Sequence, residues 1–109
     1  MLTFPGVARL KAVAGGKMIG FVAGEVRLHE GVGWITTLGV SPAYRRHGIA
    51  FNLLARCEEG MNIPVVRLCV RRSNQAAQQL YQKAGYRPSG VWERYYSDHE
   101  DALVLQKDR

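Results

Sequence analysis

Residues 34–59 contain the stretch that most restricts the fold: a strand-like run, a short basic turn and an amphipathic helix. The run "WITTLGV" is rich in β-branched residues, and Ser41-Pro42 after it blocks further pairing in a β-ladder. Apolar residues then recur at helical spacing, at Ile49, Leu53, Leu54 and Cys57. Gly60 is placed to end this helix, and the mostly apolar "IPVVRLCV" after it is typical of a buried strand. The order strand, helix, strand predicts a right-handed parallel crossover and an α/β fold.

The segments on either side predict more strands and a second helix. Before the crossover, "VARLKAV" and "MIGFVAGEVRL" flank the glycine turn "AGGK" and predict a hairpin. After it, "SNQAAQQLYQKAGY" predicts a helix that Ser73 caps and Gly85 closes. "GVWERYY" and "DALVLQK" predict two final strands around the polar turn "SDHE". A chain of 109 residues suffices for one core, so we expect a single domain over residues 1–109.

Composition narrows the function classes further. Lys and Arg number 15 against 9 for Asp and Glu, a net charge of +6 that favours an anionic partner. Cys57 and Cys69 have no Cys-x-x-Cys spacing, which favours a reducing, cytoplasmic setting. No run reaches the roughly 18 to 20 apolar residues of a membrane span, and no leader pattern follows Met1, so neither membrane association nor targeting is expected. The three histidines lack the spacing of metal ligands, so no metal is expected: His29, His47 and His99.

The turn "VSPAYRRHGIA", residues 40–50, is the candidate binding site. A helix that starts near Gly48 leaves its first N–H groups without helical acceptors, and its dipole adds partial positive charge. Arg45 and Arg46 add formal charge, while Gly48 and Ala50 leave room for a diphosphate to approach the backbone. The alternative is a solvated basic turn whose glycine serves only the backbone angles. Neither "AGGKM" nor "GVGWIT" matches a phosphate-binding or dinucleotide-binding loop, and both are interpreted as turns.

The order strand, basic glycine turn, helix, parallel strand and a helix ending in "LYQKAGY" resembles the GNAT superfamily of acetyl-CoA-dependent N-acetyltransferases. The family's Q/R-x-x-G-x-G/A pyrophosphate loop is matched by Arg45, Gly48 and Ala50, with "TLGVSPAYR" leading into it. "LCVRRSNQAAQQLYQKAGY" is similar to the second half of the acetyl-CoA site. "YYSDHEDALVLQK" is similar to the carboxyl end of the branch that acetylates protein α-amino groups. The resemblance runs from Trp34 to the end and implies a mixed, splayed sheet with helices on both faces.

The resemblance also implies where acetyl-CoA binds. Its pantetheine arm would pair with main-chain groups near Leu38 and Val40, and its diphosphate with amides from Arg46 to Ala50. Asn74 would hydrogen-bond to the pantetheine or help to keep the two parallel strands apart. The alternative is that it serves only as a helix cap. The implied cofactor-binding set is Leu38, Val40, Arg45, Arg46, His47, Gly48, Ile49, Ala50, Asn74 and Tyr81.

Acetyl transfer needs an unprotonated amine, a donor to the oxyanion and a proton or hydrogen bond for the departing thiolate. Tyr81 resembles the family's general acid; the alternative is a core tyrosine of an amphipathic helix. The amide near Leu38 resembles the oxyanion donor. The acceptor would lie against Trp34, Thr36, Cys69, Tyr95 and Tyr96. The aromatic members of this set could instead pack on a sheet face.

The sequence departs from the family at the general base. Cys69 stands where the α-amino branch often has Glu or His, and Trp34 stands where some members have a catalytic Tyr. Three accounts stay open: a water relay to Glu25 or His29, an amine that arrives neutral, and weak or lost activity. A route through a Cys69 thiolate is disfavoured, because an apolar strand raises the pKa of a thiol.

A second departure is the absence of the first strand and two helices that the family has before the hairpin. Residues 7–13 would then be an exposed sheet edge, which predicts a homodimer or a partner segment, unless the chain is a trimmed domain.

The sequence favours an acetyl-CoA-dependent N-acetyltransferase that acts on a peptide or protein α-amine, with small amines as a second acceptor class. The first alternative is a GNAT-like acyl-CoA-binding module without efficient catalysis. Net charge alone supports a nucleic-acid-binding domain, because the arginines do not form a face interleaved with aromatics, so no nucleic-acid partner is expected.

Overall fold

The structure, a computed structural model, describes residues 7–109. Its elements are β1 (Val7–Ala14), β2 (Lys17–Arg27), β3 (Val32–Val40), α1 (Ile49–Met61), β4 (Val65–Arg71), α2 (Gln75–Lys83), β5 (Arg87–Trp92) and β6 (Ala102–Asp108). The strands form one sheet in the order β1-β2-β3-β4-β6-β5. The β3–β4 pair is parallel and the other four pairs are antiparallel. The predicted α/β fold with a mixed sheet is confirmed.

The two central strands separate partway along their length. Paired residues of β3 and β4 run from Val32 opposite Val65 to Ile35 opposite Leu68. Beyond those pairs β3 continues to Val40 and β4 to Arg71, so the carboxyl halves of the two strands diverge. The predicted splay is therefore present, and it opens at the carboxyl ends of parallel strands, where α/β sheets bind ligands.

Both helices pack on the same face of the sheet. The buried side chains of β4 alternate along the strand, at Val66, Leu68 and Val70. They share one apolar cluster with residues from both helices: Leu53, Leu54, Cys57 and Met61 of α1, and Ala77 and Tyr81 of α2. The expectation of helices on both faces is therefore corrected for residues 7–109. The opposite face carries the intervening β4 residues, including Arg67 and Cys69.

Glycines in the strands let α1 lie close to the sheet. A Cβ placed on Gly24 would come within 2.7 Å of the Met61 Sδ atom, and one on Gly33 within 2.9 Å of the same atom. The helix ends at Asn62, whose φ of 49° is left-handed and whose amide donates to the Glu58 carbonyl. The prediction that Gly60 ends the helix is wrong, because Gly60 lies within the last helical turn.

Two other predicted boundaries also shift. The N-cap of α2 is Asn74, whose side-chain oxygen accepts from the Ala77 amide at 3.1 Å, so Ser73 is not the cap. The predicted close at Gly85 is confirmed by its φ of 99° just after the helix. The strand predicted over residues 90–96 ends at Trp92, and residues 93–101 form a loop before β6.

The first strand is one edge of the sheet. Among residues 7–109, β1 pairs only with β2, so its outer side has no neighbouring strand. Leu10 and Ala12 pack towards the core, while Arg9, Lys11 and Val13 are exposed. The predicted exposed edge is present in the described part of the chain. Neither helix found in residues 7–109 combines the length and the apolar character needed to cross a membrane.

Candidate functional site

A cavity of about 790 Å³ lies between the carboxyl end of β3, the start of α1 and one side of α2. Most of the predicted cofactor-binding residues line it: Leu38, Val40, Arg45, Arg46, Gly48, Ile49, Ala50, Asn74 and Tyr81. His47 does not line the cavity, and its side chain is exposed. The structure thus brings together nine of the ten residues of the predicted set.

The basic turn forms the cavity wall at the start of α1. Arg46 and Gly48 both have left-handed backbone angles, with φ values of 68° and 77°. Gly48 is the N-cap of α1, so the amides of the first helical turn have no helical acceptor. A Cβ on Gly48 would meet nothing within 4 Å, which leaves the approach to these amides open. The turn therefore offers free N–H groups, a helix dipole and arginine charge to an anion.

A side-chain hydrogen bond from Arg45 connects the turn to β3. Its Nε atom donates to the Val40 carbonyl at 3.1 Å, and the Ser41 amide donates to the Ile19 carbonyl at 2.7 Å. These bonds fix the turn relative to β3 and to its neighbour β2. Beyond Ile35, the side of β3 that faces β4 has no strand partner in residues 7–109, so its main-chain groups face the opening.

A second cavity of about 320 Å³ lies at the splay and reaches Cys69, on the sheet face that carries no helix in the described part of the chain. Four residues line both cavities: Leu38, Asn74, Ala77 and Tyr81. Thr36, Cys69, Arg71 and Tyr96 line the second cavity only. The two cavities therefore meet at the divergence of the strands, with Tyr81 at the junction.

Burial controls the titration of the groups at this junction. Burial, followed by the charge repulsion that would arise if Tyr81 and Tyr96 were both ionised, raises the pKa of the Tyr81 phenol above its ordinary value. Burial likewise raises the pKa of the Cys69 thiol and is the largest cause of the raised pKa of Tyr96. At neutral pH all three groups are uncharged. They can donate a proton or a hydrogen bond, and they are poor bases.

Predicted acceptor residues outside the second cavity form an aromatic chain beside it. Ring centroids are 5.6 Å apart for Trp34 and Trp92, and 5.1 Å apart for Trp92 and Tyr95. Tyr95 and Tyr96 are also 5.1 Å apart, and Tyr96 reaches the cavity. Trp34 and Tyr95 do not line the cavity themselves. They are connected to it through the aromatic chain that ends at Tyr96.

Neither candidate for a proton relay lies in the cavities. Glu25 pairs in register with Trp34 and forms an ion pair with Arg27 at 3.4 Å. His29 is in the turn before β3, and Val32, the first residue of β3, is already about 20 Å along the strand from Leu38 at the usual rise per residue. The residues that line the second cavity include no carboxylate. No group of three or more His, Cys, Asp or Glu residues suited to a metal ion occurs in residues 7–109.

Sequence reasoning missed two parts of the site. Trp92 was assigned to a strand without a role, yet it joins Trp34 to Tyr95. Arg71 was also missed, although it lines the second cavity and lies over the Tyr96 ring at 4.1 Å. The alternation of β4 could have placed Arg71 on the same face as Cys69. No sequence signal pairs it with a loop residue 25 positions later.

Comparisons with known proteins agree with this geometry. The model of the Acetyltransferase (GNAT) family matches residues 4–86. The chain is 34% identical to N-alpha-acetyltransferase 20 of Dictyostelium discoideum, over 95% of this chain and 64% of that protein. It spans 57 to 64% of the length of three curated relatives.

Two solved structures share the fold. The ribosomal-protein-S18-alanine N-acetyltransferase of Escherichia coli aligns with a TM-score of 0.84 and 26% identity, over 97% of this chain and 71% of that chain. The NatC complex bound to Gag peptide and CoA aligns with a TM-score of 0.81 and 28% identity, over 91% of this chain and 66% of that chain.

Proposed function

Because the chain belongs to the GNAT acetyltransferase family, we propose that it transfers the acetyl group of acetyl-CoA to a primary amine. The observation that carries this proposal is the pair of cavities that meet at Tyr81. One is walled by free helix amides and arginines, and the other opens between the diverging strands. The first suits a diphosphate, and the second lets an amine approach from the opposite face.

We place the diphosphate of acetyl-CoA on the turn that precedes α1, at the amides from Arg46 to Ala50. The pantetheine arm would lie along the free side of β3 near Leu38 and Val40, where it finds main-chain groups that β4 leaves unpaired. Asn74 caps α2 and also lines both cavities, so it can serve as cap and as ligand contact. This assignment is supported by the NatC structure, which was solved with CoA bound.

The transfer step follows from these positions. The amine nitrogen attacks the thioester carbon, and the tetrahedral oxyanion accepts a hydrogen bond from the amide near Leu38. The C–S bond then breaks, and the departing thiolate takes the phenolic proton of Tyr81. The raised pKa of Tyr81 keeps that proton in place at neutral pH. The phenol regains its proton through solvent after the products leave.

We propose that the acceptor is a peptide or protein α-amine that arrives neutral. The lining of the second cavity has no carboxylate to stabilise an ammonium or take its proton. An α-amine with a pKa of about 7.8 is roughly one-third neutral at about pH 7.5, whereas a lysine amine with a pKa of about 10.4 is neutral roughly once in a thousand. Water in the opening can then take the proton that the attacking nitrogen loses.

The aromatic chain supports an extended acceptor. Trp34, Tyr95 and Tyr96 would contact the first residues of a peptide, with Thr36 and Cys69 on the cavity wall. A small amine would use only the cavity, which keeps small molecules as the second acceptor class. An acyl-CoA-binding module without efficient turnover is the second candidate, because neither cavity supplies a base.

Three wider features belong to the same proposal. We propose that residues 1–109 form one acetyl-CoA-binding domain. We also propose that the outer side of β1, which has no neighbouring strand among residues 7–109, associates with a second copy of the chain. The two free cysteines favour a reducing, cytoplasmic setting.

The proposal is tested by calorimetry with acetyl-CoA and by thiol release on a panel of peptides and small amines. Gly48→Asn places a side chain over the amides of α1 in a backbone conformation that Asn tolerates. We expect it to weaken acetyl-CoA binding at least about tenfold.

The matched control is Gly31→Asn. Gly31 has a φ of 68° and open space around it, and it lies outside both cavities. Its substitution should leave acetyl-CoA affinity unchanged. Equal affinities for the two variants would contradict the assignment of the diphosphate, and binding without thiol release would select the module.

A further inference from the structure

We propose that Arg71 is a positioning residue that fixes Tyr96 at the acceptor side of the cavity and ties it to the start of α2. The inference rests on the proposed function, because it concerns how the acceptor wall is held. Arg71 is the last residue of β4, beyond the point where β3 and β4 part.

The guanidinium of Arg71 contacts the loop of residues 93–101 through three groups. Its carbon Cζ lies 4.1 Å from the centroid of the Tyr96 ring. Its Nη1 atom donates to Asp98 at 2.9 and 3.1 Å and to Glu100 at 3.0 Å. One planar cation thus stacks on the ring while it binds the two carboxylates that follow it in the chain.

Glu100 extends this network to the cofactor side. While its Oε1 atom binds Arg71, its Oε2 atom accepts from the Ser73 amide at 2.8 Å. Ser73 precedes Asn74, the cap of α2 that lines both cavities. Hydrogen bonds from the Ser73 side chain, from Arg71 and from the Ser73 amide, in that order of size, lower the pKa of Glu100, so this carboxylate stays charged at neutral pH.

Hydrogen bonds to the main chain connect both ends of the network to the residues around them. The Tyr96 amide donates to the Glu100 carbonyl at 3.2 Å, and the Asn74 amide donates to the Arg71 carbonyl at 3.0 Å. Gln78 on α2 donates to the carbonyls of Arg71 and Arg72. A change in the guanidinium therefore shifts the Tyr96 ring relative to Asn74 without removing a residue that touches the reacting atoms.

The test compares Arg71→Lys with Arg72→Lys. Lysine keeps the charge at position 71 but loses the planar group that stacks and binds two carboxylates together. Arg72 is the matched control, because it is more exposed and makes a looser ion pair with Asp101 in the same loop, at 3.6 Å. We expect Arg71→Lys to raise the acceptor KM roughly fivefold to tenfold and to leave the acetyl-CoA Kd within about twofold. Arg72→Lys should change neither.

A second measurement does not require turnover. In hydrogen exchange, we expect the amides of Ser73, Tyr96 and His99 to exchange at least about fivefold faster in Arg71→Lys than in Arg72→Lys. Glu100→Gln is a further variant, because it keeps the size of the side chain while it removes the charge that binds Arg71, and it should speed the same amides.

The outcomes separate the two claims. A wild-type chain that binds acetyl-CoA without releasing thiol would contradict the proposed function, and the exchange rates would still decide the role of Arg71. Equal acceptor KM values for the two lysine variants would overturn the inference in an active enzyme. Equal exchange rates at Tyr96 and Ser73 would overturn it in either case.

Discussion

Tyr81 and Tyr86 lie five positions apart with their rings in edge contact, at 6.0 Å between centroids. Burial is the largest cause of the raised pKa of each phenol. Their neighbours differ: the Tyr86 hydroxyl donates to the buried Glu58 at 2.7 Å, whereas Tyr81 lines both cavities. The position of Tyr81 fits its proposed role as proton donor, whereas Tyr86 binds α1.

Replacing Tyr81 with Phe tests that placement. The variant keeps the ring and loses the proton proposed for the departing thiolate, so kcat should fall about a hundredfold or more while the acetyl-CoA Kd stays the same. Because burial raises the pKa of Tyr81 above its ordinary value, this group keeps its proton through neutral and mildly alkaline pH, so wild-type activity should not decline there through loss of that proton. Stopped-flow thiol release across pH measures both. An unchanged kcat would remove Tyr81 from the mechanism.

Sequence reasoning located the residues whose position depends on nearby chain. Arg46, Gly48 and Ala50 share one turn, and the local rule for helix starts places them at the start of α1, where they line the first cavity. It failed for Arg71 and Tyr96, since their contact depends on how residues 93–101 fold back across β4. Contacts set by tertiary packing leave no periodic signal in the chain.

Among the elements, α1 is tied to the sheet by a buried ionic group as well as by apolar packing. The Glu58 side chain is 4% exposed and accepts from Tyr86 at 2.7 Å and from Lys107 at 2.8 Å. Arg109 also donates to the Glu58 carbonyl at 2.8 Å. This network joins α1 to Tyr86, just before β5, to Lys107 in β6 and to Arg109 after it, and none of its residues lines either cavity.

Replacing Tyr86 with Phe should therefore lower stability without lowering affinity. The change leaves one oxygen of a buried carboxylate without its donor, which costs about 1–3 kcal/mol of unfolding free energy. Urea titration measures the loss, and the acetyl-CoA Kd should stay within about twofold. Tyr95→Phe is the control, because Tyr95 is 54% exposed and should change stability by less than about 0.5 kcal/mol. Equal losses for the two variants would contradict the role of the network.

Element boundaries show where local rules compete. Gly60 and Asn62 both suit a helix end. The chain uses Asn62, because the helix continues through Met61, which packs against Gly24 and Gly33. Ser73 and Asn74 both suit an N-cap, and the Ser73 amide binds Glu100 instead. The existence and order of the elements were predictable, whereas the choice between adjacent caps required their tertiary partners.

At the scale of the whole molecule, the arrangement of helices leaves one sheet face without a helix in residues 7–109. The sequence predicted a mixed sheet from strand order, but it could not tell on which face each helix packs, since both helices have one apolar side. The net charge of +6 was equally unspecific. Basic side chains occur at the turn before α1, on β1 and on the face without helices, at Arg46, Arg9, Lys11 and Arg67.

The outer side of β1 makes the proposed homodimer testable. Unpaired main-chain groups along an edge strand favour pairing with another strand, and two copies of β1 can meet antiparallel about a twofold axis. Val13→Lys adds a charge at a position that is 54% exposed on this edge, and Lys at an edge opposes pairing. We expect the wild-type chain to dimerise with rising concentration in sedimentation equilibrium and the variant to stay monomeric.

The opposite edge supplies the control. Val91 on β5 is 46% exposed, so Val91→Lys makes the same change at the other end of the sheet and should leave the dimer intact. Pairing through β1 also brings Arg9 and Lys11 of one copy close to those of the other. Added salt screens that repulsion, so the dimer fraction should rise with ionic strength. A wild-type chain that stays monomeric at high salt, or a dimer lost only in Val91→Lys, would rule out association through β1.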